Sequence, residues 1–341
     1  MAVPGSDAAA EPVEVAWRND PRTMADAPLP VEPAPTRRPS RRAQRRALRR
    51  GPVEQAPPPI AAAAGKAAES AAHPRGVIAH RDRPYGSGEH PRQRFDMLLP
   101  DGCGGELPLV IWIHGPDWRG GSKADCPLAW IVDDGYAVAS IDYRTTDVAA
   151  FPAQLDDCRV ALATIVADAA TWGIDPARIC VAGSGAGGHL AALLAYAPAD
   201  RHVRTAATDA ADPAAPAAVA VMGAPVQLAS LGPGHDRAGS AASRLVGGPL
   251  PEFREAAQRA SPLSYVSADD PPTLILHGRH DDTVPADQAT LFGQSLTRAG
   301  VEHAVVMLDE PSLSRASPGG IALVEFLDRT LGAGIARRPE Q

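Results

Sequence analysis

The stretch Arg178-Ile-Cys-Val-Ala-Gly-Ser-Gly-Ala-Gly-Gly-His-Leu-Ala-Ala-Leu-Leu194 decides the fold. Ile179 to Ala182 form a short continuous apolar run, as in a strand buried on both faces. A glycine-rich turn follows, and the Ala- and Leu-rich text after Gly185 favours a helix. The turn has the spacing of the G-x-S-x-G elbow, in which a sharp strand-to-helix turn lifts a serine above a sheet. Here the five positions are Gly183, Ser184, Gly185, Ala186 and Gly187. The glycine frame is present, and Gly185 stands where the serine would be. Ser184 falls one position too early, so its side chain leaves the turn in another direction.

Working outward, strands are expected at 76–82, 93–99, 109–113, 136–141, 178–182, 218–222, 273–276 and 303–308. Helices are expected at 153–171, 186–196, 285–299 and 319–331. Apolar strands alternating with helices imply a mostly parallel sheet covered on both faces.

Residues 76–332 resemble the α/β-hydrolase fold, in the esterase/lipase group that includes feruloyl-esterase-like and kynurenine-formamidase-like proteins. The matching segments are Leu109-Val-Ile-Trp-Ile-His-Gly115 with Trp118, Ile141-Asp-Tyr-Arg144, Phe151-Pro-Ala-Gln-Leu-Asp-Asp157 and Gly173-Ile-Asp-Pro-Ala-Arg178. The elbow and Pro271-Pro-Thr-Leu-Ile-Leu-His-Gly278 with Asp281, Val284 and Pro285 complete the set. The resemblance implies a mostly parallel eight-stranded sheet flanked by helices over residues 74–335. It also implies a cap-like segment at about 200–245 and a short tail at 336–341.

The resemblance further implies a Ser, Asp, His triad, and the chain departs from it. Asp281 fills the acid position, although a loop-capping role explains an Asp there equally well. The nucleophile position is Gly185. The base position falls at Leu313, in Leu308-Asp-Glu-Pro-Ser-Leu-Ser-Arg-Ala316, and no histidine follows His303. In the oxyanion loop the family's His-Gly-Gly-Gly-Trp reads His114-Gly115-Pro116-Asp117-Trp118. Pro116 has no N–H to donate, and Asp117 brings a negative charge, which leaves the Ala186 amide as donor. Gln227 replaces a family aspartate. Loss of nucleophile or base alone costs about a million-fold in turnover. These departures therefore predict a fold that binds a small ligand or partner without hydrolysing it. An active esterase or amidase remains the alternative, with Ser184 as substitute nucleophile, His280 or His235 as base and Asp281 or Asp282 orienting it.

Charge divides the chain. Residues 1–75 hold 12 Lys/Arg against 8 Asp/Glu, and the remainder 21 against 32. Residues 1–73 are rich in Ala, Pro and Arg and carry too little apolar bulk to offset chain entropy, so they read as a disordered tail. Arginine pairs recur every four residues from Arg37 to Arg50. They suit an anionic partner, but no aromatic residues are interleaved for base stacking, and a solvated tail is the plainer account. Four cysteines without metal-ligand spacing read as reduced structural thiols. The glycine run lacks a Walker lysine, so no metal or cofactor is expected. With no apolar leader or membrane-length apolar segment, a cytoplasmic location is expected.

Overall fold

The computed structural model describes residues 15–20, 76–103, 105–197, 215–332 and 334. Nine strands form one sheet: β1 (Trp17–Arg18), β2 (Val77–Pro84), β3 (Arg94–Pro100), β4 (Leu107–Ile113), β5 (Ala137–Ile141), β6 (Ile174–Ser184), β7 (Ala218–Met222), β8 (Thr273–Gly278) and β9 (His303–Leu308). Their order is β1-β9-β8-β7-β6-β4-β5-β3-β2. The run from β9 to β5 is parallel; β3, β2 and β1 pair antiparallel.

All seven residues of β4 are buried, as its unbroken apolar text requires. Alternate residues feed two cores. Leu109, Ile111, Ile113, Val181 and Val221 pack on one face with α1 (Ala153–Ala167), α3 (Ala186–Tyr196) and α6 (Asp287–Ala299). Val110, Trp112, Ala182, Ala220 and Leu276 pack on the other with α7 (Pro318–Leu331) and the 3-10 turn at 129–134. Helix α1 stops at Asp168 and a separate turn, α2 (Ala169–Trp172), continues to Gly173, whose left-handed backbone closes it.

The expected elements are joined by one strand that the apolar periodicity did not mark. Trp17 and Arg18 pair with Ala304 and His303 on the outer edge of β9. Trp17 stacks on Phe326 with ring centroids 5.6 Å apart, and the Arg329 guanidinium lies 4.7 Å over its ring. Arg329 also pairs with Asp20 at 2.7 Å, and the Asn19 amide donates to the Val301 carbonyl at 3.1 Å. Residues 15–20 are thus fixed to the sheet, within a stretch expected to be a disordered tail. The rest of that stretch, with the Arg37–Arg50 run, lies outside the described residues, as do 200–214 of the cap-like segment and all of the 336–341 tail.

Candidate active site

The carboxyl ends of β4, β6, β7 and β8 lie side by side, which is where open α/β sheets bind ligands. Gly185 links β6 to α3 with φ 52° and ψ −119°, backbone that a side-chain-bearing residue adopts only under strain of about 1–3 kcal/mol. A β-carbon at Gly185 would meet nothing within 4 Å, so the position opens into free space. Its neighbours are the reverse. A β-carbon on Gly183 would sit 2.7 Å from the Ile113 carbonyl oxygen, and one on Gly187 only 1.9 Å from it. The close crossing of α3 over β4 therefore requires the two flanking glycines.

Above the elbow lies a cavity of about 240 Å³, walled mainly by apolar groups such as Trp118, Met222, Leu231 and Val284. Ser184, Gly185, Ala186 and Asp281 all line it, and so does His235. Asp281 is held by its loop: Oδ1 accepts the Thr283 and Val284 amides at 2.9 and 2.8 Å. Oδ2 lies 3.8 Å from His277 Nε2, but that nitrogen lies closer, at 2.9 Å, to the Val284 carbonyl.

Of the two substitute bases, His280 does not come together with these groups. His280 is exposed and lies outside the cavity wall; the turn capped by Asp281 directs it outward. The cavity's histidine is His235, whose Nε2 lies 3.1 Å from the Thr283 carbonyl, and none of the hydrogen bonds among the described residues joins it to Ser184. Leu313 is buried in the α7-side core, its carbonyl accepting from Trp130 Nε1 at 2.9 Å. The residue this loop gives to the cavity wall is Pro311. A β-carbon on Gly278 would meet Pro311 Cγ at 3.3 Å and Asp281 Cβ at 3.7 Å, so Pro311 and Asp281 both flank Gly278.

The loop of residues 114–118, where the resemblance implies an oxyanion loop, keeps a demanding path. Asp117 and Trp118 have φ of 55° and 53°, the left-handed region costing about 1–2 kcal/mol for such residues. The loop is held by Arg119 and Gly120 amides to the Pro116 carbonyl, and by the Thr146 amide to the Trp118 carbonyl at 2.8 Å. Trp118 Nε1 donates to His189 Nδ1 at 3.1 Å, and His189 Nε2 faces the Ala260 carbonyl at 2.6 Å. That pairing makes His189 the Nε2–H tautomer, and burial holds its pKa down at about 4. His114 is buried beneath the loop, its Nε2 3.2 Å from Asp142 and its carbonyl accepting from Tyr143 at 2.9 Å. It supports the loop and does not line the cavity, while Pro116, Asp117 and Trp118 do. Gln227 likewise lies outside this cavity and lines a separate groove of mixed polar and apolar residues. Among the described residues, no group of three or more His, Cys, Asp or Glu could hold a metal ion, and no helix is long and apolar enough to cross a membrane.

The sheet order, the elbow and the cavity at the carboxyl edge define an α/β-hydrolase of the esterase/lipase group. Within that class the chain belongs to the BD-FAE family, whose model matches residues 95–296. It is 28% identical over 248 residues to the probable carboxylic ester hydrolase LipM of Mycobacterium tuberculosis (strain ATCC 25618 / H37Rv), covering 65% of this chain and 54% of LipM. It is 30% identical over 244 residues to Esterase LipQ of the same strain, covering 67% and 55%. The match thus spans little more than half the length of these relatives. Among solved structures, a truncated carbohydrate esterase from gut microbiota shares the fold with TM-score 0.65 at 23% identity, covering 74% of this chain and 94% of that one. Esterase B from Lactobacillus rhamnosis does so with TM-score 0.58 at 21% identity, covering 72% and 77%.

Proposed function

We propose that this chain is a non-hydrolytic member of its family that binds a small, largely apolar ligand in the cavity above the elbow. The observation that carries this reading is the elbow itself. Its strained backbone is complete at Gly185 and opens into the cavity, yet it presents no nucleophilic atom. The supporting observations are that Pro311 flanks Gly278 with Asp281 where a base would be useful, and that Pro116 and Asp117 occupy the oxyanion loop. Nucleophile and base act as a unit, so restoring neither by chance leaves little chemistry. The relatives are named as esterases, which supports reading the cavity as a binding pocket for an acyl or similarly compact group.

The test is turnover of a short-chain p-nitrophenyl ester by the full chain beside Ser184→Ala and Asp281→Asn. Background rates in all three agree with the reading. A second reading, a rearranged esterase, draws on Ser184 and His235 lining the same cavity. Wild-type turnover abolished by Ser184→Ala would establish that alternative and end the first.

A further inference from the structure

We infer that the ligand of this cavity is a protonated amine carrying a compact apolar group, with its ammonium anchored on Asp281 Oδ2; this rests on the non-hydrolytic binding reading above. The first observation is the bonding of Asp281. Both loop amides go to Oδ1. Oδ2 accepts no hydrogen bond among the described residues. Its neighbour His277 Nε2 at 3.8 Å is beyond hydrogen-bond range and is engaged by the Val284 carbonyl. A carboxylate oxygen in a partly buried wall, left without a donor, is an acceptor that a ligand can satisfy.

The second observation is the charge of the wall. Among the described residues two carboxylates, Asp117 and Asp281, line the cavity, and no lysine or arginine does. His235 is the lining side chain able to gain positive charge, and the Thr283 carbonyl faces its Nε2. The feature favouring an anion is the Ala186 amide at the start of α3. One amide and a helix terminus contribute about half a positive charge, against two carboxylates. An anionic ligand is therefore disfavoured, and a neutral one leaves Oδ2 with a weaker partner than a cation supplies.

The remaining wall is apolar, from Trp118, Met222, Leu231 and Val284 among others, and the volume is about 240 Å³. That space suits a compact hydrocarbon body. The class is then set by both features together: an apolar group that fills the cavity and an ammonium that meets the acid.

The experiment is titration calorimetry of the full chain, at low ionic strength, with cyclohexylmethylamine, cyclohexylmethanol and cyclohexanecarboxylate. They share one hydrocarbon body and differ in charge. The ammonium is expected to bind about tenfold or more tightly than the alcohol, and the carboxylate least well. In Asp281→Asn, shown to be folded by circular dichroism, the ammonium should lose that advantage and bind no better than the alcohol. An alcohol that binds as well as the ammonium overturns the amine assignment and leaves ligand binding standing. So does a carboxylate that binds best, or an ammonium preference that survives Asp281→Asn. Binding by none of the three overturns the amine assignment together with an apolar-ligand pocket, and ester turnover ends the non-hydrolytic reading separately.

Discussion

Gly187 runs so close to Ile113 that a β-carbon on it would lie 1.9 Å from the Ile113 carbonyl oxygen. Two residues earlier, Gly185 has a positive φ and open space around it. The two glycines thus serve different purposes. Gly187→Ala forces backbone apart and is expected to cost at least about 3 kcal/mol. Gly185→Ala meets no atom and bears only the strained-backbone penalty, about 1–3 kcal/mol. Urea denaturation of both variants checks this order. Equal losses would mean that the elbow relaxes as a whole.

The same contrast explains what the sequence could reveal. The G-x-x-x-G frame is legible because it follows from a helix crossing a strand at contact distance. Strands 218–222 and 303–308 and helix 186–196 fall where their apolar text placed them, since continuous burial leaves a continuous signal. Trp17–Arg18 left none: two residues have no period, and the aromatic, ionic and amide contacts holding residues 17–20 come from residues 282–312 positions further along the chain. At the site, Asp281 was readable from its segment. Which neighbour faces the cavity was not. Loop curvature turns His280 out and brings His235 and Pro311 in, and no local pattern encodes that.

His189 ties the loop of residues 114–118 to the residue 260 region and gives the fold an acid-sensitive contact. Burial, opposed by the Ala260 carbonyl, holds its pKa at about 4, against 6.5 in the unfolded chain. Between these values the unfolded chain takes up a proton that the folded one refuses. Stability therefore falls as pH drops from 6.5 towards 4, by an amount on the order of 3 kcal/mol. The urea midpoint followed across this window should fall in the wild type and fall less in His189→Gln. An identical slope in both would assign the acid sensitivity to other groups.

Trp17 closes the outer edge of β9, and its loss should be felt twice. The ring is half-buried and stacked on Phe326 beneath the Arg329 guanidinium. Trp17→Ala is expected to cost about 2 kcal/mol, below the range for a fully buried aromatic. It also weakens the pairing that covers the edge, and open edges template association. Denaturation and light scattering on the same sample test both effects. Unchanged stability without aggregation would show that residues 15–20 contribute no protection to β9.

On the non-hydrolytic reading proposed above, chemistry should be gained in part by installing a nucleophile and a base together. Gly185→Ser places its side chain in the direction where no atom lies within 4 Å, and Pro311→His sets an imidazole at the position that flanks Gly278 with Asp281. Either substitution alone supplies half of a unit and is expected to stay near background. The double variant is expected to hydrolyse a p-nitrophenyl ester at least about tenfold faster than either single variant, the lower end of what a positioned base contributes. The gain stays far below that of an intact triad, because Pro116 still lacks an amide and Asp117 still opposes the oxyanion. Pre-steady-state release of p-nitrophenol distinguishes acylation of the new serine from general-base hydrolysis by the new histidine. A double variant no faster than Pro311→His alone would mean that residue 311 does not reach the elbow, and that the base position lies elsewhere on this loop.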